Sequence, residues 1–275
     1  MNWKSPHSRA LPSPSETPLI MGILNVGKYS FSDGGKYSEI SSAVKHVEDM
    51  IAQGADIIDI GAESTRPNAA ELSLDDEIEI LLPRLKAVRN AFANIPISVD
   101  TYKPEVAKIA ISEGADIIND VYAIRKEGRY LMAQVAAEVN APLIVTHSCR
   151  DEIIDGNFFD FFVKGMQERI QSAEFEGVSS DMIIVDVGVG FGKTIEQNFE
   201  LVRRLDEVKK MGYAVLLGVS RKSMFADIAG NSLDLRDNAT VVVSAYCALK
   251  NNCDILRVHN VSANVVAIKT ISKLI

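Results

Sequence analysis

The phrase GADIIDIG at residues 54–61 returns as GADIINDV at 114–121 and, more faintly, as NCDILRVHN at 252–260. Each copy follows a stretch of helical periodicity and ends in polar residues, as one strand-and-helix unit does when it is used repeatedly. The first helix of the series is explicit. Ile40, Ala43, Val44, Val47, Met50 and Ile51 recur at i, i+3, i+4, i+7, i+10 and i+11, and the pattern stops at Gly54. Short apolar runs at 19–24, 56–60, 95–99, 115–118, 142–146, 182–185, 213–219 and 254–258 predict eight strands buried on both faces. Helical segments near 37–53, 75–92, 104–113, 128–139, 158–176, 195–211, 239–250 and 261–274 fill the intervals. Strict alternation of strand and helix makes the sheet parallel. Eight units in 275 residues point to an α/β chain closed into one (β/α)8 TIM barrel rather than an open, doubly wound sheet.

No segment calls for a second domain, and a chain that is 47% hydrophobic has ample material for one large core. Residues 1–18 are rich in Ser and Pro and are expected to be a loosely ordered lead-in to a barrel domain over 19–275. The net charge of −8 argues against a nucleic-acid partner, because a phosphate backbone selects a strongly basic face. No apolar run approaches the ~20 residues that cross a bilayer, so no membrane role is expected. Three cysteines, Cys149, Cys247 and Cys253, have no paired spacing; they indicate neither disulfides nor zinc and suit a reducing cytoplasm.

A barrel of this kind places its chemistry at the C-terminal ends of its strands. Those positions hold Asn25, Asp59 with Glu63, Asp100, Asn119-Asp120, His147, Asp186, Ser220-Arg221-Lys222, and Arg257 with His259. Asp100, Asn119 and Asp186 suit a flat heterocycle, since a carboxylate facing an N–H and amino edge is a charge-assisted, two-point match. Arg66, Lys222, Arg257 and His259 suit a phosphate or diphosphate. A ligand with a polar planar head and a diphosphate tail satisfies both sets.

Other signals weigh less. GVGFGKT at 188–194 follows a strand and precedes a helix like a nucleotide loop, but that loop needs Gly at 187, where this chain has Val. Its glycines are read as letting backbone pass close to a ligand, with Phe191 as a lid or stacking face. His147 and Cys149 are expected to be packed rather than nucleophilic or metal-binding. Asp75-Asp76-Glu77 reads as a solvated helix start complementing the helix dipole.

On these residues the chain resembles the dihydropteroate synthases of the pterin-binding barrel family. The resemblance runs from about 19 to 271 and is carried by LIMGILNV and SFSDGG (19–35), GADIIDIGAESTRP (54–67), SVDTYK (98–103), GADIIND (114–120), VDVGVGFGKT (185–194), GVSRKS (218–223) and DILRVHNV (254–261). It implies a cytoplasmic, homodimeric enzyme of folate synthesis. The implied reaction condenses 6-hydroxymethyl-7,8-dihydropterin diphosphate with 4-aminobenzoate to 7,8-dihydropteroate and diphosphate. Carried onto matching positions, Asp100, Asn119, Asp186 and Lys222 hold the pterin. Asn25, Thr65, Arg257 and His259 hold the diphosphate, with Mg²⁺ near Asn25. Arg66, Ser223 and Lys222 lie by the aminobenzoate, and Asp100, Lys222 and Arg257 carry the catalytic role. Gly27-Lys28-Tyr29 stands where the family usually has Thr-Pro-Asp, Val187 where it has Pro, and Asn68 and Ala62 where it has Gly. Thr146 and Ser148 replace the Met residues that usually flank the strand-end His. The altered first loop leaves room for a pterin-binding paralogue without condensation. A methyltransferase using a methylated tetrahydropterin is a further alternative, disfavoured by the phosphate-side motifs SRKS and RVHN.

Overall fold

Eight parallel strands close into a barrel in chain order in the computed structural model, which describes residues 3–13, 15–27, 39–64, 71–123, 128–149 and 157–275. They are β1 (Leu19–Asn25), β2 (Ile57–Gly61), β3 (Ile97–Asp100), β4 (Ile117–Asp120), β5 (Leu143–Thr146), β6 (Ile183–Asp186), β7 (Ala214–Leu217) and β8 (Ile255–Val258). Around them run α1 (Ile40–Gln53), α2 (Leu74–Ala91), α3 (Pro104–Ser112), α4 (Leu131–Val139) and α5 (Phe158–Phe175). The ring continues with α6 (Ile195–Arg203), α7 (Leu205–Lys209), α8 (Ala226–Ala229), α9 (Leu233–Lys250) and α10 (Val261–Leu274). The (β/α)8 expectation is met.

Two helices depart from their expected bounds. The segment expected at 195–211 divides at Arg204, and the helix expected from 239 begins at Leu233, where the Ser232 side chain accepts from the Leu235 N–H.

Period-two alternation along each strand separates two cores. Residues such as Ile58, Ile60, Val99, Ile118, Val145, Val185, Leu217 and Val258 face the helices. Leu19, Met21, Ile57, Ile117, Ile144, Ile184, Leu216 and Ile255 fill the barrel interior. Two residues beyond an interior isoleucine, the inward position turns polar. Ile57 leads to Asp59, Ile117 to Asn119, Ile144 to Thr146, Ile184 to Asp186 and Ile255 to Arg257. The same alternation therefore makes an apolar plug below and a polar cup above.

The expected loose lead-in is corrected at residues 3–11, which dock on the opposite, N-terminal mouth. Trp3 is buried within the interior core, with Leu11 packed beside it. Ser5 Oγ donates to Asp116 Oδ1 at 2.5 Å, and Arg9 Nε reaches the same oxygen at 2.8 Å. His7 Nε2 lies 2.8 Å from the Ile111 carbonyl. Composition signals the lack of regular structure, whereas a buried indole and an ion pair to a fully buried Asp116 provide the docking. Trp3 is the only tryptophan, so its emission reports this contact directly. Trp3→Ala is expected to lower unfolding free energy by about 3 kcal/mol. In the parent protein, emission is expected to shift red as residues 3–11 leave the barrel mouth, as followed by denaturant titration.

Candidate functional site

The polar cup is organised by one arginine. Arg257, the inward residue of β8, donates from Nε to Asp59 Oδ2 and from Nη2 to Asp100 Oδ2, both at 2.6 Å. Asn119 Nδ2 donates to both Asp59 oxygens at 3.3 Å. Asp59, expected among the polar residues that follow the second strand, is instead fully buried in the middle of β2, and its part depends on a partner 198 residues away. Burial alone would lower the Arg257 pKa, but the charges of Asp59 and Asp100 outweigh it and push the value up. Burial raises the Asp100 carboxyl well above its ordinary range; Arg257 opposes that shift and Asp59 adds to it.

Two acceptors in this arrangement are buried without a hydrogen-bond partner, Asp100 Oδ1 and Asn119 Oδ1. They belong to residues paired across β3 and β4. Orphaned buried acceptors carry a cost unless something donates to them, so the pair is suited to a ligand with adjacent N–H groups. Asp186 lies at the top of β6, with Oδ1 accepting from the Gly188 N–H at 2.9 Å and Oδ2 lying 3.5 Å from Thr146 Oγ1.

Lys222 closes this side of the cup. Its ammonium donates to the Val189 carbonyl at 2.5 Å and sits 4.7 Å from the Phe191 ring centroid. Burial pushes its pKa down to about 8, with Asp186 and Asp100 opposing and Arg257 assisting. Tyr122 meets Phe191 edge-on at 6.2 Å and Tyr102 at 5.0 Å, extending an aromatic arc from the β6 loop towards the β3 loop.

The expected phosphate-side residues are placed at the β7, β8 and β1 ends. Ser220 Oγ lies 2.9 Å from His259 Nδ1 and accepts from the His259 backbone N–H at 3.1 Å, which orients the ring. Asn25 ends β1 opposite Gly61, itself opposite Asp100. Ser223 is exposed at the start of a short 3-10 turn. Thr65, Arg66 and the Lys28-Tyr29 pair lie outside the described residues. Gly27 is described: a Cβ there would lie 2.2 Å from the Ala62 carbonyl, so the first and second loops touch where a side chain would not fit.

The first glycine of the glycine-rich segment passes close to backbone: Gly188 has φ +67°, and a Cβ there would lie 1.9 Å from the His147 carbonyl. Lys193, the lysine of the nucleotide-loop look-alike, is spent on the loop itself, donating to the carbonyls of His147, Gly188 and Phe191 at 2.7, 2.8 and 3.2 Å. Glu77 is not solvated. It is fully buried and pairs at 2.6 Å with Lys103, which also reaches Glu63 at 2.5 Å, while Tyr102 Oη donates to Glu63 at 2.7 Å. Burial would lower the Lys103 pKa, but these two carboxylates raise it. His147 is fully buried against Phe161 and Phe162, as expected of a packed residue.

This cup lies at the C-terminal mouth of a parallel barrel, where barrels of this kind place their chemistry. The family model described as pterin binding enzyme matches residues 21–259. A dihydropteroate synthase of Clostridium beijerinckii is 44% identical over 249 residues, covering 90% of this chain and 91% of the relative. The Yersinia pestis dihydropteroate synthase solved with a sulfonamide drug superposes with a TM-score of 0.91 at 30% identity, covering 100% of this chain and 99% of that one. The Xanthomonas albilineans dihydropteroate synthase in complex with 7,8-dihydropteroate gives a TM-score of 0.84 at 29% identity, covering 100% and 98%. The chain belongs to the pterin-binding enzymes and, within them, to the dihydropteroate synthase family.

Proposed function

We propose that the cup condenses 6-hydroxymethyl-7,8-dihydropterin diphosphate with 4-aminobenzoate. The observation that supports this most is the pair of unpartnered buried acceptors, Asp100 Oδ1 and Asn119 Oδ1, next to two cations. In this reading Asp100, Asn119 and Asp186 receive the N–H edge of the pterin, and Lys222 and Phe191 cover its other side. Arg257, His259 and Asn25 face the diphosphate, with Thr65 from the second loop. Arg66, Ser223 and Lys222 border the aminobenzoate. A carbon–oxygen bond to diphosphate breaks, leaving positive charge at the exocyclic methylene. The Asp100 carboxylate stabilises that charge, and Arg257 offsets the charge gained by the leaving group. The arylamine then forms the new carbon–nitrogen bond and loses its proton.

Among the described residues no three His, Cys, Asp or Glu side chains group as metal ligands; at this rim Asn25, the last residue of β1, carries an amide oxygen. One protein oxygen fits Mg²⁺, which commonly keeps several waters and takes its remaining ligands from substrate phosphates. Asn25 would hold it, and the ion would supply charge neutralisation on the diphosphate. Neither the non-condensing paralogue nor the methyltransferase has an observation in its favour.

Lys222 gives the reading a pH signature. Its ammonium form dominates below about 8 and its neutral amine above. Affinity for the pterin diphosphate is therefore expected to fall as pH rises through that value, by at most about tenfold per unit, and to level in Lys222→Met. Calorimetry across pH checks it; a wild-type affinity unchanged up to pH about 10, near the ordinary lysine value, would contradict Lys222's place in the site.

We further propose that the enzyme works in the cytoplasm as a homodimer; among the described residues no helix is long and apolar enough to cross a membrane. Val242 and Leu249 on α9 and Val266 on α10 are 69%, 53% and 62% exposed and offer a second copy an apolar face. Sedimentation is expected to give a dimer that Val242→Glu with Val266→Glu converts to monomer.

A further inference from the structure

Between Ser220, which orients His259, and Lys222, which covers the cup, stands a residue in an unfavourable conformation. Arg221 has φ +59°, the left-handed region that glycine enters freely and a residue with a Cβ does not. Its own preference does not hold it there. Its side chain is tied by two parallel bonds, from Nε to Asp237 Oδ1 and from Nη2 to Asp237 Oδ2, each 2.8 Å. Its backbone is tied as well: the N–H points to Thr240 Oγ1 at 3.4 Å, and the carbonyl accepts from Arg236 Nη1 at 3.3 Å. Arg236, Asp237 and Thr240 all lie on the first turns of α9, and Asp237 and Thr240 are buried. Helix α9 thus grips one residue from both sides of its peptide.

The direction of the chain changes at this residue. Ser220 reaches towards β8, where it holds His259, and Lys222 reaches the opposite way, to Val189 and Phe191 of the β6 loop. With a right-handed or extended Arg221, the two neighbours would not keep these positions together. The Arg221 guanidinium is bound to Asp237 through two nitrogens. We infer that Asp237 is a positioning residue: through Arg221 it holds the left-handed turn that sets Lys222 and the Ser220–His259 pair around the substrates. The inference rests on the proposed function for its effect on turnover, but not for its effect on the turn.

Two readings separate the clamp from the chemistry. The first is the rate at which an amine-acylating reagent labels Lys222, followed by mass spectrometry, which needs no substrate. The second is kcat/KM for dihydropteroate formation. Asp237→Ala is expected to raise Lys222 labelling at least fivefold and to lower kcat/KM at least tenfold. Adding Arg221→Gly to it is expected to reverse most of both changes, because glycine takes the left-handed angle without a tether. Adding Arg221→Ala, which also removes the guanidinium but keeps a Cβ, is expected to reverse neither. Should Asp237→Ala fail to fold, Asp237→Asn replaces it, with smaller changes of the same sign and the same glycine rescue. Unchanged Lys222 labelling in folded Asp237 variants, or equal behaviour of the glycine and alanine double variants, would overturn the clamp. Labelling that follows the predicted order in a protein making no dihydropteroate would uphold the clamp and refute the proposed reaction.

Discussion

Asp100→Asn is expected to reduce dihydropteroate formation by about 10²–10³-fold in kcat/KM while leaving the fold in place. The substitution keeps the size and one acceptor of the side chain, so packing at the end of β3 is retained. It removes the negative charge that faces the developing cation, and it presents N–H donors where the pterin edge also donates. The fold survives because Arg257 keeps its other partner, Asp59, at 2.6 Å. Product formation under saturating aminobenzoate and thermal unfolding separate the two effects. A loss of activity matched by a large fall in melting temperature would assign Asp100 to the structure rather than to the reaction.

Arg257→Met is expected to damage both. It leaves Asp59 and Asp100 buried together with no cation between them, the situation in which breaking a buried ion pair costs about 3–5 kcal/mol. Melting temperature is expected to drop by roughly 6–20 °C, given about 2–4 °C per kcal/mol for a domain of this size. The loss should depend on pH with a definite sign. Burial already raises the folded-state pKa of the Asp100 carboxyl above its unfolded value near about 4, and without the guanidinium the opposing charge is gone. The folded state then binds more protons than the unfolded state. The variant is therefore expected to regain stability as pH falls towards about 4 and to lose it as pH rises through the raised Asp100 value. Adding Asp59→Asn should restore part of the stability at neutral pH and none of the activity, because the cation facing the diphosphate is still missing.

The barrel and the expected rim were legible because their signals are local. A strand two faces deep writes a short apolar run, a helix writes its 3.6 period, and the inward polar residue two places beyond an interior isoleucine falls at a strand end in the sequence itself. What escaped is pairing across the closed barrel. Asp59 reads in the sequence as one more polar residue near a strand's end, and only β8, which brings Arg257 beside it, makes it a buried partner from within β2. Glu77 sits in an acidic first turn that normally meets water, and only the next unit's Lys103 turns it into a buried ion pair. The Ser- and Pro-rich start lacks periodicity, so its docking through Trp3, Ser5 and Arg9 could not be seen without Asp116 in place. The left-handed Arg221 has no signature at all, since arginine gives no hint of positive φ.

The unusual first loop sharpens the central question. Gly27 lies where a side chain would strike the Ala62 carbonyl. The measurement that bears most directly on the proposed reaction is a balanced assay with purified protein, the pterin diphosphate, Mg²⁺ and aminobenzoate, following dihydropteroate and diphosphate together. The expected result is equimolar formation of both, dependent on aminobenzoate and lost in Asp100→Asn. Tight pterin binding without dihydropteroate, or diphosphate released at the same rate when aminobenzoate is left out, would contradict it.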